Sequence, residues 1–288
     1  MIQKTAIIIA GPTASGKTSM AIDIALQLGT EIISADSRQC FRELNIGVAR
    51  PSEEELQKVK HHFIASHSIH EKITAITFEQ YALEKAKEIF RDHDHLVMAG
   101  GTGLYIKAFC EGMDEIPEVP DAIHREIVYE YKQHGLFWLQ EQVKKLDPAF
   151  YAVAETDNPQ RLMRALEVFK STGQSIRDFR KGKKKQRDFQ IRKIALQVPK
   201  EELHRRIDVR VEQMMERGLL REVESLLPYQ HLNALQTVGY RELLDHMNGE
   251  ISLQEAINRI KTNTRHYAKR QMTWFKKDGE YEWREAAS

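Results

Sequence analysis

The chain has 288 residues, with 43 Lys and Arg against 42 Asp and Glu, for a formal charge of +1. That length allows one large domain or two smaller ones with ample core; the bulk charge does not announce a nucleic-acid binder, and no apolar window comes near a membrane span. The two cysteines, Cys40 and Cys110, lack metal-type spacing, and the start runs straight into a strand without room for a signal peptide, so a reduced, cytoplasmic protein is expected.

The first predicted element is the apolar run TAIIIA at residues 5–10, read as a strand. GPTASGKT follows at 11–18, then a helical stretch with Met20, Ala21, Ile24, Ala25 and Leu28 on one face. Strand, glycine-rich loop and helix in that order are the context in which G-x-x-x-x-G-K-T forms a phosphate-binding P-loop. Gly11 and Gly16 permit backbone angles that aim successive N–H groups into one concavity. The helix start adds positive potential, Lys17 reaches the terminal phosphates, and the Thr18 hydroxyl suits Mg2+. The motif implies a diphosphate or triphosphate ligand, without saying what becomes of it.

A second short strand, residues 30–34, ends in Ala35-Asp36-Ser37-Arg38-Gln39. Ligands of an open parallel sheet sit beyond the carboxyl ends of its strands, so Asp36 and Ser37 should face the crevice of the P-loop. Asp36 is then a Mg2+ ligand, a general base, or a helix N-cap. Ser52 with Glu55 reads as a capping box, and so does Thr77 with Gln80, which opens a helix to about Arg91. His61 and His62 are adjacent, project apart and lack a third ligand, so they are read as surface or strand-end residues; His93 and His95 are read as solvated. The strand at 96–99 runs into Gly100-Gly101-Thr102-Gly103-Leu104-Tyr105, where a P-loop NTPase usually carries a strand-end Asp. The two glycines allow close backbone approach and Thr102 offers a hydroxyl and an N–H at a helix start; a purely structural turn is equally consistent.

Pro117 and Pro120 mark a break, and residues 121–185 are helical in pattern, charged and without strand signals. Asn158 reads as an N-cap with Pro159 at the first helical position. The helix to Lys170 carries Leu162, Ala165, Leu166 and Phe169 on its apolar face, and Arg161 and Arg164 together on another, where they clamp phosphates or are merely solvated. The basic run 177–193 (Arg177, Arg180, Lys181, Lys183, Lys184, Lys185, Arg187, Arg192, Lys193) is read as a flexible loop, either simply solvated or, beside a helical insertion, facing a phosphodiester backbone. A strand at 191–198 rejoins the sheet. Helices at 201–217, with Arg206 and Arg210 one turn apart, and from Ser252 to about Lys277 follow, and Trp274 and Phe275 are expected to pack on the core. The fold class is thus α/β, a P-loop kinase-like core with a parallel sheet flanked by helices (residues 1–117 and 191–288) interrupted by an all-helical insertion (118–190).

Taken together, GPTASGKT at 11–18, DSRQ at 36–39, GGTGLY at 100–105, DNPQRLMRALEV at 157–168, VGYREL at 238–243 and YAKRQMTWFK at 267–276 resemble the tRNA dimethylallyltransferases, over nearly the whole chain. The resemblance implies transfer of a dimethylallyl group from dimethylallyl diphosphate to N6 of the adenine next to the anticodon, with the insertion gripping the anticodon stem-loop. It implies Asp36, Thr102 and Lys17 as catalytic residues. The diphosphate falls to Gly11, Pro12, Thr13, Ala14, Ser15, Gly16, Lys17, Thr18 and Arg210, with Mg2+ on Thr18. The tRNA falls to Asp36, Ser37, Arg38, Gln39, Gly101, Thr102, Gln160, Arg161, Leu162 and Arg164. One departure is Cys40-Phe41, where the family usually has an aliphatic residue and a tyrosine; if that tyrosine touches RNA, stacking must replace its hydroxyl here. The P-loop alone would fit an ATP-dependent small-molecule kinase, and a non-catalytic RNA binder using nucleotide as a switch is a third reading. No membrane and no obligate protein partner are expected; nothing demands more than a monomer.

Overall fold

Six parallel strands form one sheet in the computed structural model of the chain, which describes residues 3–286. In chain order, β1 (Thr5–Ala10) leads through the glycine-rich loop to α1 (Lys17–Leu28), β2 (Ile32–Ser34), α2 (Glu53–Lys58), β3 (His61–His62), α3 (Ala75–Asp92), β4 (His95–Gly100) and α4 (Gly103–Glu111). Four helices follow: α5 (Asp121–Leu146), α6 (Pro148–Tyr151), α7 (Pro159–Thr172) and α8 (Ile176–Phe179). Next come β5 (Gln190–Gln197), α9 (Lys200–Glu216), α10 (Leu219–Ser225), α11 (Tyr240–Met247), α12 (Leu253–Lys276) and β6 (Tyr281–Glu285). The sheet order is β3-β2-β4-β1-β5-β6, with Ala10 paired to Gly100 on one side and to Ala195 on the other. The crossover from β1 to β2 steps over β4. The loops after β1, β2 and β4 therefore open along one edge, where such sheets bind ligands.

β1 reads as an unbroken apolar run because both its faces are covered. Ile8 packs into the larger cluster with Phe78, Tyr105 and Phe109; Ile9 packs into a smaller one with Ala21, Ile22, Ala25, Ile32 and Val97. In α1 the buried residues are Ala21, Ile22 and Ala25, so the sequence face is rotated by about one position, and Leu28 stays exposed. The cap of α3 is Thr74, reciprocally bonded with Thr77, rather than Thr77 with Gln80; a helix begun three residues earlier buries Phe78 and Ala82. Phe275 is fully buried but Trp274 is 41% exposed. Its ring edge lies against Gly103, where an added Cβ would come within 2.2 Å of it. Cys40 and Cys110 are buried and unpaired, and burial pushes both thiols up to about 12.

Three members of the basic run are structural. Arg187, its side chain only 10% exposed, donates to the carbonyls of Ala108 and Phe109 and pairs with Glu79 at 3.0 Å. Arg192 lies in β5 and pairs with Glu282 of β6; Lys193, buried, is bonded to Asp278 and Glu280 at 2.8 and 2.7 Å. The long-range acids that demand these cations are not visible from local sequence.

Contacts divide the chain into one unit of Met1–Gly112 with Gln186–Ser288 and a second of Met113–Lys185. The sequence boundaries at 118 and 190 fall slightly later. In the second unit α7 buries Leu162, Ala165 and Leu166 against Ile127, Leu139, Val143 and Phe150 of α5 and α6. Asn158 caps α7 through the Arg161 N–H. Gly135 (φ 72°) breaks α5 into two helical stretches.

Candidate active site

The loop after β1 bends through two left-handed residues, Ala14 (φ 62°) and Gly16 (φ 83°). Alternation of right- and left-handed residues turns successive N–H groups to one side and makes an anion-binding nest. A non-glycine residue there costs of order 1–3 kcal/mol, strain typical of ligand clamps. The first N–H groups of α1 have no intrahelical acceptor and point into the same concavity. The Lys17 ammonium donates to the Pro12 carbonyl at 2.5 Å. Burial first, then the charge of Arg210, hold Lys17 down to about 7, against the opposing pull of Asp36. Arg210, on α9, reaches the Thr13 hydroxyl at 3.3 Å.

Parts of the expected phosphate set are committed elsewhere. Gly11 and Pro12 are buried, Gly11 against Leu196 of β5, and neither lines the cavity. The Thr13 N–H donates to the Gln271 side chain at 2.8 Å. The Ser15 side chain is fully buried, and its hydroxyl has no hydrogen-bond partner among the described residues. With the Thr13 N–H taken, the N–H groups left for a ligand are those from Ala14 onward.

Beyond β2, Asp36 is held by its own turn: Oδ1 accepts from the N–H groups of Arg38 at 2.8 Å and Gln39 at 3.2 Å. Its second oxygen carries no hydrogen bond among the described residues. The capping geometry and a free carboxylate oxygen thus coexist. Thr102 does not line the cavity. Its N–H donates to the Ala35 carbonyl, and its hydroxyl accepts from the Ser37 N–H at 3.0 Å, so it braces the Asp36 turn from behind. Tyr267 of α12 lies close by, and burial with the nearby Asp36 charge pushes its phenol up to about 12. Gly100 is a glycine of necessity, since a Cβ would lie 2.2 Å from the Ala35 carbonyl oxygen.

The other DSRQ side chains are also engaged. Arg38 donates to the carbonyls of Asn233 and Ala234, and Gln39 to those of Val48 and Ala49. Gln39 thereby supports the wall loop 46–51. The same loop is held by Glu222 of α10, which accepts from the N–H groups of Ile46 and Gly47 and from the Tyr240 hydroxyl. Phe41 is 4% exposed and sits in the core, so it has no face to offer for stacking on RNA.

These walls enclose a cavity of about 690 Å³, which brings together Thr13 to Thr18, Asp36 to Gln39, Gly101 and Arg210. Seven cationic side chains line it (Lys17, Arg38, Arg50, Arg210, Arg217, Arg241 and Arg270) against two carboxylates, Asp36 and Glu55. That surplus exceeds what one diphosphate neutralises, and low-dielectric walls concentrate its field. The sequence reading took no site residue from 238–243 or 267–276, although Arg241, Tyr267, Arg270 and Gln271 all line the cavity. The quoted motifs marked the stretches; only packing selects the residues that turn inward.

In the helical unit, Gln160 and Arg161 are exposed and Arg164 is half-buried. Arg161 pairs with Glu155 and Arg164 with Glu167. Partial burial, and then the charges of Arg161 and Arg164, depress the pKa of Arg180, so the three guanidiniums are neighbours. Leu162 is fully buried in the unit's core and cannot contact RNA. The adjacent histidines are no metal site: His62 meets Glu31 and His61 the Val59 carbonyl. Among the described residues only Glu111, Asp278 and Glu280 cluster with ligand spacing, and Lys193 already occupies that cluster.

A parallel sheet whose central strand ends in a nest of N–H groups, beside a carboxylate and a strongly basic cavity, defines an α/β protein whose carboxyl strand edge suits a phosphorylated ligand. More specifically, the chain belongs to the IPP transferase family, whose model matches residues 39–278. It is 46% identical over 275 residues (96% of this chain, 91% of the relative) to a tRNA dimethylallyltransferase of Christiangramia forsetii. It is 43% identical over 282 residues (98% and 93%) to one of Cytophaga hutchinsonii. The crystal structure of a tRNA isopentenylpyrophosphate transferase from Bacillus halodurans superposes with a TM-score of 0.71 at 32% identity, covering 99% of this chain and 90% of that one. The kinase reading finds no support among these relatives.

Proposed function

We propose that this protein transfers a dimethylallyl group from dimethylallyl diphosphate to N6 of the adenosine 3′-adjacent to the anticodon of tRNA, giving N6-isopentenyladenosine and diphosphate. The observation that carries the chemistry is that the phosphate nest and the free oxygen of Asp36 belong to one cavity. The allylic C–O bond breaks, its electrons leave on diphosphate, and the allylic carbon bonds to N6. The N6 proton passes to Asp36. The N–H groups from Ala14 onward, Lys17 and Arg210 stabilise the charge that develops on the leaving group. Mg2+ fits the donor set: the Thr18 hydroxyl lines the cavity, and this hard cation binds through few protein oxygens, substrate phosphates and water. When bound it neutralises charge on the departing diphosphate.

Adenine reaches the cavity by leaving its stack, which costs only a few kcal/mol in an unpaired loop. Ser37 and Gly101 line the same cavity as Asp36 and offer backbone for it to meet. Arg217, Arg241 and Arg270 supply charge for flanking phosphates, and Gln160, Arg161, Arg164 and Arg180 of the helical unit supply further RNA contacts. Tyr267 and Thr102 act through the Asp36 turn. A protein working on tRNA is expected in the cytoplasm; no helix among the described residues is long and apolar enough to cross a membrane.

The test is incubation with unmodified tRNA and each donor. A mass gain of one dimethylallyl group on adenosine supports the proposal. ATP consumption with phosphorylation of a small molecule, or RNA binding without covalent change, refutes it.

A further inference from the structure

Gln271 joins the two sides of the cavity through one side chain. Its Oε1 accepts from the Thr13 N–H of the phosphate loop at 2.8 Å, and its Nε2 donates to the Gly101 carbonyl of the loop after β4 at 2.9 Å. A backbone N–H only donates and a carbonyl only accepts, so a single amide orientation satisfies both. The side chain is 6% exposed and projects from the same face of α12 as Ala268 and Phe275, which anchors it in the core. Gly101 has no room for a side chain because of it: an added Cβ would lie 2.1 Å from Nε2. The loop that Gly101 opens is tied through Thr102 to Ser37 and so to the Asp36 turn. Among the described residues no other side chain hydrogen-bonds both loops.

We infer that Gln271 is a positioning residue that fixes the distance from the phosphate loop to the Asp36 turn, and so keeps the acceptor amine against the allylic carbon while the C–O bond breaks. The inference rests on the prenyl-transfer reading above. Its consequence is chemical. An allylic cation formed with N6 in place is captured by nitrogen. Formed across a widened gap, it is captured by water, whose oxygen bonds the carbon and whose proton is lost to Asp36 or solvent; the products are an allylic alcohol and diphosphate. Gln271 therefore controls the partition between transfer and hydrolysis.

The test is single-turnover reaction of labelled dimethylallyl diphosphate with unmodified tRNA, scoring transferred label against alcohol, for wild type, Gln271→Met, Gln271→Glu and Gly101→Ala. Methionine keeps length and removes both bonds. Glutamate keeps the acceptor for Thr13 but sets a second acceptor against the Gly101 carbonyl. Alanine at 101 displaces the amide from the other side. The two Gln271 variants should retain diphosphate and tRNA affinity within about threefold, while in all three variants transfer slows by roughly 10- to 100-fold and the alcohol-to-transfer ratio rises about tenfold, as misplacement by about 1 Å does. A folding defect lowers both products together and leaves the ratio alone, so the ratio isolates positioning. An unchanged ratio overturns the inference, as does a folded variant that forms neither product. Wild-type protein that forms neither sinks the prenyl-transfer reading itself.

Discussion

Replacing Asp36 by Asn separates two jobs done by one side chain. Oδ1 accepts from the N–H groups of Arg38 and Gln39, and Asn retains an oxygen at that place, so the turn should survive. Stability should change by about 0.5 kcal/mol or less. What is lost is the second oxygen, the one able to take the N6 proton, because an amide is not a base at neutral pH. Loss of a positioned general base costs about 10²- to 10⁴-fold. The control is Asp36→Ala, which strips the acceptor from both N–H groups and should cost about 1–3 kcal/mol in stability as well. Rapid-quench single-turnover transfer, with diphosphate and tRNA affinities measured separately, reads the first effect, and urea denaturation reads the second. A full-rate Asp36→Asn enzyme would refute the base assignment; an Asn variant as unstable as the Ala variant would refute the account of the turn.

Other consequences follow from the same contacts. Lys17, held to about 7 by burial and Arg210, should regain a proton when a diphosphate neutralises its surroundings. Calorimetry in buffers of differing ionisation enthalpy should show uptake approaching one proton at pH 8–9 and little at pH 5.5; pH-independent uptake counts against the depressed lysine. The same group makes stability rise with pH between about 7 and its unfolded value of 10.5, where the unfolded chain holds more protons, and below 7 the fold carries the full cost. Arg187→Ala removes the partner of Glu79 and of two carbonyls, and should destabilise the protein by about 3 kcal/mol or more; a change below about 1 kcal/mol in urea denaturation would show that the pair is dispensable. Neutralising Lys183, Lys184 and Lys185 together should weaken tRNA binding and flatten its dependence on log salt by up to about three, and an unchanged slope makes that run a bystander.

How much of this was legible in the sequence depends on the range of the interaction. GPTASGKT declared its loop, because the spacing of glycines, lysine and threonine is itself the local geometry. The caps at Ser52, Asn158 and Ser252 were readable for the same reason, whereas Thr74 was missed by one turn because Thr77 offers the same chemistry. Leu162 was misassigned as an RNA contact. It shares a helix with Gln160, Arg161 and Arg164, and which face is wet is decided by α5 and α6. Arg187 and Lys193 counted as part of a loose basic run until Glu79, Asp278 and Glu280 appeared beside them. The strand β6 was not read at all, since YEWRE alternates polar and aromatic residues and becomes a strand only by pairing with β5.

Sequence alone therefore determined the parts whose chemistry lies within a few residues: the phosphate loop, the carboxylate after the second strand, the helical interruption and the family resemblance. Tertiary structure decided which of those residues reach the cavity. It buried Gly11, Pro12 and Leu162, set Thr102 behind Ser37, and brought Gln271, Tyr267, Arg241 and Arg270 to its wall from far down the chain. The physical reason is that backbone geometry is fixed by neighbours in sequence, while the direction a side chain faces is fixed by what the sheet and helices pack against it.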